Sequence, residues 1–195
     1  MNKNKYIVPI YCDNEFNGTG FIIGNLLITA AHVVETEKNI CFFHFNRKKI
    51  EIGPENNLIF EYPKEKSMQG HDNIFLDLAI YQLSGINSPL ELRMPSLKDI
   101  CTYQGYSDSS LLMDLYDNIR LDDKDWYYPL EKEKPIRINN TYLSVMGICK
   151  KGNSGGPLFQ GEYVVSMLVG NQQYQSFSMD RYIKSEYILH KISCL

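Results

Sequence analysis

The 195-residue sequence has no apolar run approaching the ~18 residues that a membrane-spanning helix needs. It has no basic tract either: 20 Lys and Arg stand against 23 Asp and Glu, a net charge of −3, so neither nucleic acid nor a membrane surface is an expected partner. The five cysteines (Cys12, Cys41, Cys101, Cys149, Cys194) are odd in number and nowhere spaced Cys-x-x-Cys. A structural zinc site is therefore not expected, a disulfide framework is not implied, and the thiols are read as reduced. Met1 to Lys5 run straight into the strand-like Tyr6-Ile7-Val8, without the apolar core or cleavage site of a secretory leader. These absences together point to a cytoplasmic protein. Internal repeats, low-complexity tracts and long helical periodicities are also missing.

What is present favours strands. Hydrophobic residues make up 44% of the chain and include 14 Tyr and 9 Phe, residues that suit a pleated, half-buried surface. Gly18 to Ile23 and Leu26 to Thr29 are apolar runs joined by Gly24-Asn25, a strong hairpin signal. Residues 6–10, 40–45, 49–52, 58–61 and 78–83 read as further strands. In the second half the same reading applies to 100–104, 136–139, 142–146, 157–159, 163–168 and 173–178. Short strands at this spacing imply an antiparallel sandwich or barrel. The proline- and glycine-bearing stretch from Ser84 to Pro95 is the expected linker between two lobes, 1–90 and 91–195. Residues 105–135 read as an inserted surface loop holding a short helix around Leu111–Tyr116. Met179 to Ile192 places apolar residues at helical spacing, with Ser178 as a possible cap.

The most distinctive stretch is Gly152-Asn153-Ser154-Gly155-Gly156-Pro157-Leu158. Glycines on both sides of a serine allow a tight turn that exposes the hydroxyl and brings backbone N–H groups close to a ligand. Taken alone, it is equally a glycine-rich β-turn. Thr29-Ala30-Ala31-His32-Val33-Val34 sets a histidine among small residues at a strand end, where an imidazole can serve a cleft or simply pack in the core. Leu76-Asp77-Leu78-Ala79-Ile80 puts a carboxylate in an apolar strand, and a buried carboxylate needs a hydrogen-bond partner. An imidazole N–H would serve. Asp72 is the rival, but it lies in the polar run Gly70-His71-Asp72-Asn73, where solvent suffices.

In the order His32, Asp77, Ser154, the three stretches resemble the histidine, aspartate and serine motifs of the trypsin-like serine peptidases. The resemblance extends over essentially the whole chain. It implies an all-β fold of two six-stranded antiparallel Greek-key β-barrels, with the active site in the cleft between them and a short C-terminal helix. By that resemblance His32 is the general base, Asp77 orients it, Ser154 is the nucleophile, and the N–H groups of Gly152 and Ser154 form the oxyanion hole. No cofactor or metal is implied. Secreted digestive members carry cysteine after the histidine and aspartate before the serine. Here those positions are Val33 and Asn153, so activation by a newly cut N-terminus is not expected, and the pattern is closer to an intracellular bacterial branch.

The resemblance also places Ile148 at the floor of the primary specificity pocket and Ser166, Met167 and Leu168 along its wall. Ser166 is expected to hydrogen-bond near Asp77 and its strand to pair with substrate. The apolar floor implies cleavage after a hydrophobic or small residue; Lys150 and Lys151 at the entrance leave an acidic preference open. His44, His71 and His190 are given no role. The implied function is a serine endopeptidase acting on a protein or peptide substrate, without an appended targeting domain. By analogy it would process a regulatory or effector partner in a bacterial defence pathway. The alternative is a latent or inactive peptidase-fold binding module that needs a partner to order its oxyanion hole.

Overall fold

The chain is described from a computed structural model covering residues 3–35, 41–61, 77–108, 112–123, 126–128, 136–138, 141–144, 150–173 and 178–195. Two antiparallel sheets carry it. The first contains β1 (Ile7–Cys12), β2 (Glu15–Ile23), β3 (Leu26–Thr29), β4 (Cys41–Phe45), β5 (Lys48–Ile52), β6 (Asn57–Glu61) and β7 (Leu78–Gln82), in the order β5-β4-β1-β2-β3-β7-β6. The second contains β8 (Cys101–Tyr106), β9 (Met113–Ile119), β12 (Thr141–Ser144), β13 (Pro157–Gln160), β14 (Tyr163–Gln173) and β15 (Ser178–Lys184), in the order β12-β15-β14-β13-β8-β9. A separate two-stranded ribbon pairs β10 (Trp126–Tyr128) with β11 (Ile136–Ile138). The helices are short: α1 (Ala31–Val34) and, near the C-terminus, α2 (Ser185–Ser193). This is the double-barrel architecture expected from the sequence motifs, with seven strands in the first sheet where six were anticipated.

Local chemistry explains the meander. Gly24, at φ +55°, sits in the turn that sets Ile23 opposite Leu26. Two further tight turns use non-glycine residues in the left-handed region: Asp13 and Asn14 between β1 and β2, and Asn46 and Arg47 between β4 and β5. Successive residues at positive φ match the twist of a right-handed hairpin, which is why Asp and Asn recur there. A main apolar cluster, including Ile10, Phe21, Leu27, Ile28, Phe43 and Ile80, fills the first sheet and continues to Phe159, Met167 and Ile183 of the second. A smaller cluster around Tyr103, Ile119, Leu158, Leu168 and Tyr182 fills the rest of the second sheet.

Three sequence expectations are corrected. The segment read as a helix around Leu111–Tyr116 is instead β9, because pairing with β8 places Gln104 opposite Leu115 and Tyr106 opposite Met113. Ser178 begins a strand and caps no helix: β15 lies between β12 and β14 with Tyr182 and Ile183 wholly buried, and α2 starts only at Ser185. Both are cases of tertiary pairing overriding local periodicity. Third, Cys12 and Cys41 face each other across β1 and β4 and form a disulfide, so the thiols are not all reduced. Cys101 is free and buried, Cys194 free and exposed; Cys149 lies outside the described residues. Among the described residues no helix is long and apolar enough to cross a membrane.

Candidate active site

β3 ends at Thr29, Ala30 remains extended, and the chain then makes the single turn of α1 with His32 on it. Ala30, Ala31 and Val33 around it are fully buried, whereas the His32 side chain is 36% exposed. Asp77, the residue before β7, meets this turn. One carboxylate oxygen accepts the His32 backbone N–H at 2.8 Å, and the other is hydrogen-bonded to the ring Nδ1. β7 pairs with β3, setting Thr29 opposite Ala79, and that register brings two residues 45 apart in sequence together. Asp72 and His71 lie outside the described residues.

The serine loop comes from the other sheet and is pinned to the first one. Ser154 is half-buried between Gly152 and Gly155, which take φ values of +94° and +83°. The Ser154 carbonyl accepts the Thr19 N–H at 2.9 Å, and the Thr19 hydroxyl donates to the Gly152 carbonyl at 3.0 Å. Thr29 in turn donates its hydroxyl to the Thr19 carbonyl at 2.7 Å. Gly155 lies so close to this strand end that a Cβ would sit 2.0 Å from the Thr19 carbonyl oxygen and 3.1 Å from the Ala30 nitrogen. The Ser154 loop therefore packs on the backbone two residues before His32.

Inside the loop, Asn153 is wholly buried and both polar atoms of its amide are hydrogen-bonded. Its Oδ1 accepts from the Lys150 N–H at 2.8 Å, while Nδ2 donates to the Tyr106 carbonyl at 2.9 Å and to the Asp114 carboxylate at 3.2 Å. The N–H groups of Asn153, Gly155 and Gly156 donate to the carbonyls of Lys150, Leu168 and Asn153. Among the described residues, those of Gly152 and Ser154 meet no acceptor. Among the described residues, the loop that carries the half-buried Ser154 thus leaves two backbone donors without an acceptor, one on each side of Asn153.

The chain has the chymotrypsin-like serine peptidase fold. Its architecture is similar to that of the Rv3671c protease of M. tuberculosis in its active form, at a TM-score of 0.71 and 16% identity over 98% of this chain and 81% of that one. It is similar to mouse neuropsin at 0.67 and 13%, over 99% and 95% of the two chains. The serine protease of a human pathogenic astrovirus gives 0.58 and 17%, over 92% and 89%. No protein-family model matches the sequence, and no curated protein matches it. The fold is therefore recognised through shape rather than through overall sequence similarity.

Ile148, Lys151, Ser166, Met167 and Leu168 are the residues expected to shape the specificity pocket. Ile148 lies outside the described residues. Ser166, Met167 and Leu168 are all fully buried in the core. The Ser166 hydroxyl donates to the Ile183 carbonyl at 2.6 Å. β14 is flanked on both sides there, with Leu158 opposite one edge of Ser166 and Lys184 opposite the other. Its pairing with β13 stops at Met167, and among the described strands Gly170 to Gln173 pair only with β15. Lys151 is exposed, its ammonium 2.7 Å from the Asp108 carboxylate, which holds its pKa above the ordinary lysine value. Lys150 is likewise exposed, lies 5.3 Å from the Tyr116 ring, and is raised chiefly by the Tyr116 hydroxyl. His44 is exposed on β4 with its ring edge-on to Tyr11 and Phe42, and His190 is exposed on α2.

Thr19, Tyr103, Asp108 and Asp114 were not singled out by sequence reasoning, yet all four contact the serine loop. The one local signal was Thr19 itself, a hydroxyl between two glycines in an otherwise apolar strand.

Proposed function

We propose that the protein is a serine endopeptidase in which Ser154 attacks a peptide carbonyl, His32 takes and returns the proton, and Asp77 holds the imidazole. The observation that carries this reading is the two-point bond between Asp77 and His32, located where the Ser154 loop meets the His32 strand end. The Asp77 carboxylate on Nδ1 fixes the tautomer that leaves Nε2 free to act as base, and it stabilises the imidazolium formed when Nε2 takes the serine proton. Oxygen charge developing on the substrate would be met by the N–H groups of Gly152 and Ser154, each such donor being worth ~10²–10³ in rate. The acyl-enzyme then yields to water by the same steps in reverse, with His32 again as base.

An extended substrate would add a strand to the edge of β14 at Gly170–Gln173, beyond the last residue paired with β13. That shifts the substrate edge past the Ser166–Leu168 segment expected from sequence. Selected cleavage of a partner protein is the physiological setting we propose.

A fluorophosphonate probe tests the reading directly. Stoichiometric labelling of the wild type that disappears in Ser154→Ala, with both proteins equally folded, is the expected result. A folded wild type that never labels, or a Ser154→Ala variant that labels equally well, overturns it.

A further inference from the structure

We infer that Tyr103 is a positioning residue for the oxyanion hole, acting through the peptide that joins Asn153 to Ser154; the inference rests on the peptidase reading of Ser154. A trans peptide is planar, with its C=O and N–H pointing in opposite directions. Whatever fixes the Asn153 carbonyl therefore fixes the aim of the Ser154 N–H.

That carbonyl is held by the Tyr103 hydroxyl at 2.7 Å and by the Gly156 N–H at 3.1 Å. Tyr103 is wholly buried, on β8 of the second sheet, with the Tyr116 ring 5.8 Å away. Its hydroxyl reaches the loop through a slot walled by two glycines. A Cβ at Gly105 would lie 1.9 Å from that oxygen, and one at Gly156 2.3 Å from it. Neither glycine has a positive φ, so what the site requires there is close approach, not backbone freedom.

The second donor is anchored on the same plan. The Gly152 N–H belongs to the peptide whose carbonyl is that of Lys151, and this carbonyl accepts the Asp108 N–H at 3.0 Å. Asp108 follows two residues after β8 ends. Both candidate donor peptides are thus clamped at their oxygens by β8 and the turn after it, while their N–H groups face the other way. Hydrogen bonding at the oxygen also polarises the amide, making its N–H a better donor. Asn153 makes no ion pair here, and this clamp takes over the ordering of the loop. It is complete in the chain without a newly cut N-terminus.

The test compares the rate constant of Ser154 labelling by a fluorophosphonate in the wild type, Tyr103→Phe and Gly105→Ala. Tyr103→Phe keeps the ring in its slot and deletes only the hydroxyl; Gly105→Ala keeps the hydroxyl and displaces it. For each variant the expected result is full labelling with a rate constant lowered about tenfold, short of the ~10²–10³ lost when a donor itself is removed. The pH midpoint of the rate should not move, because His32 is untouched. A merely structural role would lower the melting temperature and the labelled fraction while leaving the rate constant of the folded enzyme at the wild-type value. That result, in either variant, overturns the inference. If Tyr103→Phe does not fold, Gly105→Ala carries the same measurement. A wild type with no Ser154-dependent labelling is a distinct outcome, which removes the peptidase reading on which the inference stands.

Discussion

Asp77 grips His32 at two points, its backbone N–H at 2.8 Å and its ring Nδ1. The backbone bond anchors the turn and the ring bond sets the tautomer. With its single amide oxygen kept on the backbone N–H, Asp77→Asn presents an NH2 group to the ring in place of the carboxylate oxygen. We expect kcat to fall by ~10³–10⁴ with the fold retained, the scale on which triads lose rate when the tautomer is no longer held. Steady-state hydrolysis of a peptide substrate, together with thermal melting, checks both halves.

The amide of Asn153 donates both of its hydrogens to oxygens, those of Tyr106 and Asp114. Asn153→Asp would set a buried carboxylate against these two acceptors. A loss of ~1–3 kcal/mol is expected from the unsatisfied group, along with slower Ser154 labelling. Adding Asp114→Asn supplies a donor and should restore part of the loss. Urea unfolding of the single and double variants measures the coupling, and strict additivity would refute a direct contact.

Cys12 and Cys41 close a loop spanning 29 residues. Constraining the unfolded chain over that length contributes about 3–4 kcal/mol in the chain-entropy model. The Cys12→Ala/Cys41→Ala protein, or the wild type in excess dithiothreitol, should show a urea midpoint lowered accordingly. An unchanged midpoint on reduction would mean the pair adds nothing to stability.

Burial pushes the Cys101 thiol from 9.0 up to about 11. Its folded pKa is raised, so the stabilisation is full below pH 9 and is lost as pH climbs toward 11, where the unfolded chain has already ionised. Between these values stability should fall with pH, and Cys101→Ala should flatten that fall. In the native protein iodoacetamide should modify exposed Cys194 well before buried Cys101. Mass spectrometry of partially alkylated protein reads the order.

The parts of the candidate site legible in sequence were those that must carry their own local geometry. Ser154 needs glycines around it because Gly152 and Gly155 take positive φ, and Gly155 has no room for a Cβ. His32 needs small neighbours, since Ala30 and Ala31 are fully buried. Asp77 stood out because an acid in an apolar strand demands a partner. These constraints act over a few residues and leave a mark there. The hairpin at Gly24-Asn25 was visible for the same reason.

What tertiary structure alone decided is what works across the sheets. Thr19 meets Gly152 over 133 residues of sequence, Tyr103 meets Asn153 over 50, and Asp114 meets it over 39. Apart from the Thr19 hydroxyl set between two glycines, no local pattern announces such contacts, because they depend on strand register and on which sheet edge faces which loop. The same holds for the Cys12–Cys41 pair, formed when β1 and β4 came to lie side by side. It holds for β9 and β15, whose sequences favour helix until a neighbouring strand offers hydrogen bonds. By itself the sequence determined which residues could perform the chemistry. The packing of the two sheets decided what holds them in place, because anchoring a peptide plane requires a donor from a distant strand at hydrogen-bond distance.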